Sequence, residues 1–508
     1  MLRTQLIQLF AALIVAVVTT TSHMTTAHAL ALSHSGEEVR YTYEVTYRTL
    51  HRGPTLTAPQ IRAAAALHAA HVFGLFHSPE VAAATGFPAD LIEGFAGTKP
   101  PQILAADITR PPTAQDPYAW VRYQAQGSMI VHKPVLARWL RGEPRAKVIL
   151  PLLKDFPSIY RDDFQAYTDA KWRRCTDDHY WRADEFSYFY NPYRCPELGR
   201  APIATDTIFY VERSTAAQQA VHHFVPLQQI QGANGNGNLT VLYFANGFDQ
   251  VPRPGAPPNV IHRDSGWKTY AAIEQLVTRV HGFRKIESLE ELRAALGADF
   301  HQLNLLTPAT LNHDPQRRYF STYVKKTARQ TFVVRSALLD AGNEGRLRSF
   351  PKFWKEAWEN GDVIYFGGHS GDGEALSLYN MLGTLNKADL DSIQFRRDKT
   401  QIALIDSCSS YGHYQDLYAA RKPYGLHMVT YGLVSLFHLA PATIAQLLDI
   451  TLSQGQALRW TDALALIEQR QLRPHVEYIY EPRDHERMYR EYLRRGTFPT
   501  GLLTVHVQ

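Results

Sequence analysis

The chain has 508 residues, of which 45% are hydrophobic and 20% are charged. This composition excludes a disordered protein, and the length predicts two or three globular domains. The formal net charge of +5 is the difference between 53 basic and 48 acidic residues. Because the basic residues are scattered along the chain, we predict no nucleic-acid partner.

The first 29 residues have the pattern of a signal peptide. Residues 6–18 form an apolar run that is short for a membrane span, and Ala27-His28-Ala29 matches a small-residue cleavage site. An uncleaved membrane anchor is the alternative, but the short run and the cleavage pattern favour removal. We therefore predict an exported protein, periplasmic or secreted, with no stable membrane insertion after signal cleavage.

Export determines how the three cysteines are interpreted. Cys175 and Cys195 can form a disulfide in an oxidising compartment, and its loop of roughly 20 residues would add about 3 kcal/mol of stability. A free pair and a metal site with His179 are the alternatives. Two cysteines and one histidine fall short of a zinc ligand set, so we predict no metal and no cofactor. Cys408 is then left unpaired, which is a liability in an exported protein unless the thiol is buried or used.

Residues 30–230 have the mixed pattern of a separate α+β domain. Residues 39–50 alternate between apolar and polar, which predicts a strand exposed on one face, and the alanine-rich residues 61–76 predict a helix. Aromatic residues crowd positions 160–195, where we predict a small core stapled by the disulfide, with a sugar- or peptide-binding surface as the alternative. Three further stretches have apolar runs that fit strands, the first two of them short helices as well: residues 118–131, 146–153 and 207–211.

A Gly/Asn-rich segment, residues 231–238, is the predicted linker to a second domain. Between residues 239 and 471 apolar strand-like runs alternate with amphipathic helices. This alternation predicts an α/β domain with a mostly parallel sheet and helices on both faces. Residues 472–508 form a charged C-terminal extension that ends in a strand-like stretch over residues 502–507.

Local signals add detail to the second domain. Asp264 or Ser265 can cap a helix whose buried face would include Val280. Ser288 begins a capping box with Glu291 three residues later. Residues 300–328 are polar and are predicted to be irregular.

Two apolar runs break abruptly into small polar residues. Residues 363–366 (VIYF) lead through two glycines to His369, and residues 402–405 (IALI) lead through Asp406 and Ser407 to Cys408. In a parallel sheet, polar residues after neighbouring strands meet at the carboxyl edge. A histidine within hydrogen-bond reach of a cysteine can take the thiol proton and later protonate a leaving amine. The two strand ends therefore predict a cysteine nucleophile with a histidine base.

These two stretches resemble the caspase-like cysteine peptidases, a group that includes caspases, metacaspases, legumains, gingipains and clostripain. In that family an apolar strand ends in the catalytic histidine and a later apolar strand ends in the catalytic cysteine. The resemblance covers residues 239–470 loosely. It implies a caspase-like domain that hydrolyses peptide bonds in a peptide or protein substrate, with His369 as general base and Cys408 as nucleophile.

The resemblance extends to the neighbours of the pair. Asp406, two residues before Cys408, matches the metacaspase-like Asp-x-Cys motif, in which the aspartate lines a pocket for arginine or lysine; a turn-capping role is the alternative. Backbone N–H groups at Ser370 and Gly371 are the predicted oxyanion hole. Ser370 stands where the family usually has glycine.

Two other functions fit parts of the pattern. Ser370, Asp406 and His438 follow the chain order of an α/β-hydrolase triad, but Asp372 stands where a nucleophile elbow has glycine. A non-catalytic exported binding protein on a degenerate peptidase fold is the second alternative. The sequence leaves the oligomeric state open. Our prediction from the sequence is an exported two-domain cysteine peptidase.

Overall fold

The structure is a computed structural model. The residues it describes are 31–52, 56–84, 94–160, 190–194, 204–213, 223–233, 237–249, 258–314, 317–339, 348–370, 376, 387–453, 457–471 and 501–508. The predicted signal peptide, the Cys175–Cys195 disulfide and residues 472–500 of the C-terminal extension lie outside these residues.

The chain folds as two units. One unit is Glu37–Gln218, and the other joins Ala31–Gly36 to Gln219–Gln508. The Gly/Asn-rich segment at 231–238 lies within the second unit and leads into a central strand of its sheet.

The strands and helices below are given in chain order. The strands are β1 (Leu32–Ser33), β2 (Gly36–Arg52), β3 (Ala96–Thr98), β4 (Gln102–Arg110), β5 (Tyr118–His132), β6 (Arg145–Leu153), β7 (Ala204–Arg213), β8 (Leu239–Gly247), β9 (Arg284–Ile286), β10 (Tyr319–Lys326), β11 (Thr331–Leu339), β12 (Val363–Gly367), β13 (Gln401–Asp406), β14 (Leu426–Tyr431) and β15 (Leu503–Val507). The α-helices are Ala58–Ala69, His71–His77, Pro79–Ala84, Lys133–Leu140, Pro258–Ile261, Ser265–Gln275, Leu289–Leu296, Ser349–Asn360, Lys387–Asp391, Ser410–His413, Gln415–Arg421, Ala440–Leu452 and Trp460–Gln471.

The first unit is built on an antiparallel sheet with the order β3-β5-β2-β7-β6. The strand β4 pairs with residues 120–126 of β5. Side chains alternate between buried and more exposed along β2, as the sequence pattern predicts for residues 39–50, and the same alternation is found along much of β5. The two stretches that fitted either strands or helices are strands β5 and β6. The single helix predicted over residues 61–76 is two helices that meet at Ala70.

A histidine and tyrosine network lies in the core of this unit. His68 Nδ1 is 2.6 Å from the Tyr123 hydroxyl, and its Nε2 contacts the Leu153 carbonyl oxygen. His71 Nε2 is 2.5 Å from the Tyr160 hydroxyl. Burial lowers the pKa of His68 to about 3 and that of His71 to about 4, so both imidazoles are neutral in the folded protein.

The second unit is built on a large mixed sheet with the order β1-β15-β14-β13-β12-β8-β11-β10-β9. The five central strands, β14 to β11 in that order, run parallel to one another, and the strands flanking them are antiparallel to their neighbours. Hydrophobic cores cover both faces of the sheet. The unit is therefore α/β, as the alternating pattern predicts, but its sheet is mixed, with a parallel centre, where the pattern predicts a mostly parallel sheet. Among the described residues, no helix is long and apolar enough to span a membrane.

Two local predictions for the second unit are wrong. The region 300–328, predicted to be irregular, contains β10, because its polar side chains are bonded inside the protein: Ser321 Oγ is 2.6 Å from the Tyr270 hydroxyl, and the Thr322 hydroxyl donates to Ala309 O at 2.5 Å. Val280 is 65% exposed, because the helix widens to a π-turn over Leu276–Val280 and rotates that side chain outward.

A buried ion pair lies on one face of this sheet. Arg335 and Glu356 are 2.9 Å apart, and their side chains are 1% and 0% exposed. Glu356 also accepts hydrogen bonds from the Tyr243 hydroxyl at 3.1 Å and from the backbone N–H groups of Leu306 and Thr307 at 2.8 and 3.0 Å. The pair is thus fully hydrogen-bonded, which is the condition for burying two charges.

Candidate active site

The two strand ends predicted from the sequence are neighbours in the sheet. β12 and β13 are adjacent and parallel, with Gly367 opposite Asp406, and the Gly368 N–H donates to the Asp406 carbonyl at 3.2 Å. His369 and Cys408 each follow these paired positions by two residues. Because neighbouring strands lie about 4.8 Å apart, both residues leave the sheet side by side at its carboxyl edge.

Cys408 lies in a sharp turn between β13 and the helix Ser410–His413. Ser409, directly after it, has a left-handed backbone with φ 52°. The Ser410 hydroxyl fixes this turn, since it donates to Ile405 O and accepts from the Tyr431 N–H, both at 2.8 Å. The thiol is partly exposed and lies 3.7 Å from the carbonyl oxygen of Ser435. The turn thus places the thiol beyond the strand end.

His369 is open to solvent, with a side chain that is 59% exposed. Its Nε2 lies 3.2 Å from Asp249 Oδ1 and 3.0 Å from the Asp249 carbonyl oxygen. Both oxygens are acceptors, so Nε2 carries the hydrogen, and Nδ1 is the nitrogen that remains to accept a proton. The hydrogen bond that His369 donates to the Asp249 carboxylate raises the pKa of His369.

Asp249 was not found from the sequence. It follows β8, which pairs with β12 on the side away from β13, so three adjacent parallel strands end in Asp249, His369 and Cys408. The carboxylate of Asp264, which caps the helix Ser265–Gln275, accepts hydrogen bonds from the N–H groups of Asp249 at 3.3 Å and Trp267 at 3.0 Å. The signal available in the sequence was a third apolar strand that ends in Asn-Gly before an acidic residue.

A glycine allows this helix to begin against the end of β8. A Cβ atom on Gly266 would lie 2.0 Å from the carbonyl oxygen of Gly247, the last residue of the strand. Any larger residue at Gly266 would therefore displace the first turn of the helix. The cap that holds Asp249 depends on this close approach.

Asp406, two residues before Cys408, is buried, at 3% exposure. The Tyr365 hydroxyl donates to Oδ2 at 2.8 Å, and the Ser435 hydroxyl donates to Oδ1. Burial raises the pKa of Asp406 to about 6, and these hydroxyl donors limit the rise. Gly367 makes room for the tyrosine, because a Cβ there would lie 2.5 Å from the Tyr365 hydroxyl oxygen. The predicted contact of Asp406 with substrate stays a prediction.

The segment 433–437, which follows β14, contacts Cys408, Asp406 and His369. The Ser435 carbonyl accepts from the Cys408 thiol, and the Ser435 hydroxyl donates to Asp406. The ring of Phe437 packs edge-on against that of His369, with 5.1 Å between centroids. The sequence analysis did not identify this segment, because nothing in its local pattern marks it.

Of the residues predicted for the oxyanion hole and for the alternative serine triad, Ser370 and Asp406 are described with their side chains. Ser370 is buried, and its carbonyl oxygen accepts from the Tyr414 hydroxyl at 2.8 Å. Gly371, the second predicted oxyanion donor, and the side chain of His438 lie outside the described part of the chain. Among described residues the left-handed non-glycine positions include Ser409 but not Ser370. The left-handed position therefore lies directly after Cys408, at Ser409.

The described residues contain no cluster of three or more His, Cys, Asp or Glu side chains that could hold a metal ion. No protein-family model matches the chain, and no curated protein matches it.

Proposed function

We propose that the second unit is a cysteine peptidase of the caspase-like type, with Cys408 as nucleophile and His369 as general base. The observation that carries the proposal is the register of β12 and β13, which brings the two residues out of the sheet side by side. The left-handed turn after Cys408 and the carboxylate behind His369 support it. A thiol, a base and a group that orients the base are the parts that nucleophilic catalysis requires.

The reaction follows from these roles. His369 Nδ1 takes the thiol proton, and the sulfur attacks the carbonyl carbon of the scissile peptide bond. Asp249 stabilises the resulting imidazolium through the Nε2–H. The carbon–nitrogen bond then breaks, the imidazolium protonates the leaving amine, and an acyl-enzyme remains. Water, deprotonated by His369, hydrolyses the thioester and restores the thiol.

The proposed substrate is a peptide with arginine or lysine before the scissile bond. Asp406 and Asp249 both lie at the carboxyl edge of the sheet, and their negative charges favour a cationic side chain. The pKa of Asp406 is about 6, so this carboxyl is ionised at neutral pH and protonated in acid. We therefore expect the preference for basic residues to weaken as the pH falls below about 6. The signal-peptide pattern supports a periplasmic or secreted location for the reaction.

Thiol reactivity and peptide cleavage together test the proposal. Cys408 should react with iodoacetamide faster than a free thiol at neutral pH, and His369→Ala should slow peptide cleavage by roughly a hundredfold or more. Cys408→Ala should abolish cleavage of a peptide library that the unaltered protein cleaves after Arg or Lys. The matched control is His301→Ala, which removes an exposed histidine elsewhere in the same unit.

Each alternative function has its own outcome in these experiments. Alkylation no faster than a free thiol, with no peptide cleaved, would favour the non-catalytic binding protein. Activity that survives Cys408→Ala and is blocked by a serine-directed phosphonate would favour a serine esterase. Cleavage only after acidic residues would keep the peptidase but contradict the role of Asp406.

A further inference from the structure

The last strand of the chain reaches the segment that lines the candidate site. β15 pairs with β14 so that Leu503 lies opposite Tyr431. The pairing continues beyond the end of β14, where the N–H groups of Gly432 and Leu433 donate to the carbonyls of Leu502 and Gly501, both at 3.0 Å. Two residues before β15 therefore hold the start of the segment that runs on to Ser435 and Phe437.

The backbone of Gly501 and Leu502 has little space for a larger side chain or another conformation. A Cβ atom on Gly501 would lie 2.6 Å from the carbonyl oxygen of Val434 and 2.5 Å from a ring carbon of Tyr431. Leu502 is fully buried and has a left-handed backbone with φ 53°. A leucine keeps such a conformation only where its surroundings fix it, so this stretch is a rigid support.

The same segment holds the turn after Cys408 on its other side. The Leu433 carbonyl accepts from the Ser409 N–H at 2.8 Å, and the Ser435 carbonyl accepts from the Cys408 thiol at 3.7 Å. Leu433 is thus bonded through its N–H to Gly501 and through its carbonyl to the residue after the nucleophile. One residue connects the C-terminal strand to the thiol.

We propose that Gly501 and Leu502 are positioning residues for Cys408, acting through Leu433 and Ser435. Their catalytic meaning rests on the proposed function, but the placement of the thiol can be measured without any substrate. Neither residue touches the reacting atoms. Their effect is to fix where the thiol lies relative to His369, on which the rate of proton transfer depends.

Gly501→Ala in the full chain tests this proposal. The added methyl pushes the backbone at Val434, so alkylation of Cys408 by iodoacetamide should slow by about tenfold. The pH midpoint of alkylation should shift, because the thiol leaves its place beside the imidazolium. The Ser409 amide should also exchange its hydrogen faster. Mass spectrometry of the Cys408 peptide and its neighbours reads out all three.

The matched control is Val505→Ala, which creates a cavity at a fully buried position in β15, four residues after Gly501. It should lower the thermal midpoint of unfolding at least as much as Gly501→Ala and leave the three readouts at Cys408 and Ser409 unchanged. If Val505→Ala gives the same changes, or Gly501→Ala gives none, the positioning role is wrong.

Leu502→Gly is the second test of the proposal, for the case that Gly501→Ala does not fold. It adds no atoms and suits a left-handed backbone, but it removes the buried side chain that anchors this stretch. Alkylation should change in the same direction by a smaller factor, and an unchanged rate would contradict the proposal. Slower alkylation of the variants in a protein that cleaves no peptide would leave this inference standing and overturn the proposed function. Variants that cleave peptide and are alkylated at the unaltered rate would contradict this inference and leave the proposed function standing.

Discussion

The two units of this protein bury polar groups in their cores in different ways. The first unit buries neutral imidazoles, with His68 and His71 bonded to tyrosine hydroxyls and a carbonyl. The second unit buries whole charges, with Arg335 against Glu356 and, at 3.0 Å, Lys399 against Asp362. A neutral network is stable only while it stays unprotonated, whereas an ion pair is stable only while both partners are present. Acid should therefore weaken the histidine network of the first unit, and loss of a partner should weaken the ion pairs of the second.

The sheets also differ in what they can display. In an antiparallel sheet the carboxyl ends of successive strands point in opposite directions. Five parallel strands bring all their carboxyl ends to the same side of the sheet, its carboxyl edge. That edge holds Asp249, His369 and Cys408. The parallel unit is therefore where several reactive side chains can meet.

The largest expected effect is on the buried ion pair. Glu356→Gln leaves Arg335 buried without a counter-charge, and we expect the free energy of unfolding to fall by about 3–5 kcal/mol. Urea denaturation measures the change. Glu290→Gln, at an exposed position in a helix of the same unit, should change it by about 0.5 kcal/mol or less. A small change in the free energy of unfolding of Glu356→Gln would mean that the Arg335–Glu356 pair contributes little to the stability of this core.

Acid should weaken the first unit through its histidines. The folded pKa values of His68 and His71, about 3 and about 4, lie below the unfolded value of 6.5. Stability is therefore fully present above about pH 6.5 and is lost as the pH falls, by up to about 1.4 kcal/mol per pH unit for each histidine. His68→Gln should flatten this dependence.

Hydrogen exchange of peptide fragments, measured at several pH values, reads the two units separately. Fragments of β2 and β5 should lose protection in acid less steeply in His68→Gln than in the unaltered protein. His301→Gln, an exposed substitution, should leave the slope unchanged. Burial also lowers the pKa values of His413 and His427 in the second unit to about 4, so an unchanged slope in His68→Gln would assign the acid response to other groups.

Asp249→Asn should affect the site without unfolding the unit. Loss of the carboxylate removes the group that raises the pKa of His369, and the imidazolium becomes less stable. We expect alkylation of Cys408 at neutral pH to slow by about tenfold and its pH profile to shift. Asp398→Asn, an exposed aspartate paired with Arg396, is the control and should leave the profile unchanged. A profile that does not move would remove Asp249 from the site.

The smallest expected effect is at Ser435. Ser435→Ala removes one hydroxyl donor to Asp406, so the pKa of that carboxyl should rise above its present value of about 6. The preference for cleavage after basic residues should then be lost at a higher pH than in the unaltered protein. The ratio of kcat/KM for an Arg substrate to that for a Gln substrate, followed against pH, measures the shift. Val434→Ala, next to it in the segment, should leave the midpoint in place.

The sequence pattern predicted the α/β order of the second unit because buried parallel strands are continuous apolar runs. It failed at β10, where Ser321 and Thr322 are buried polar residues whose hydrogen bonds come from distant parts of the chain. In the first unit, β5 and β6 could not be told from helices, because only their pairing partners decide between the two.

The candidate site was predicted in part for a similar reason. His369 and Cys408 follow strong strand signals, so their types and positions could be read locally. Asp249 and Ser435 belong to the site only through the neighbouring order of β8, β12, β13 and β14. Strand order arises from packing across the whole unit, and no short stretch of sequence contains it.

On one side the large sheet finishes with the strands β15 and β1, which are far apart in the sequence. Leu32 pairs with Val505, and the Ser35 hydroxyl donates a hydrogen bond to Glu468, 433 residues later. The first unit is thus an insertion between the first strand of the second unit and the rest of it. During synthesis the inserted unit is complete long before its host, and domains fold as units in that order. The host can finish its sheet only when the last strand has emerged. A nascent chain would therefore carry a sheet whose strand β14 lacks its antiparallel neighbour until residues 503–507 have been made.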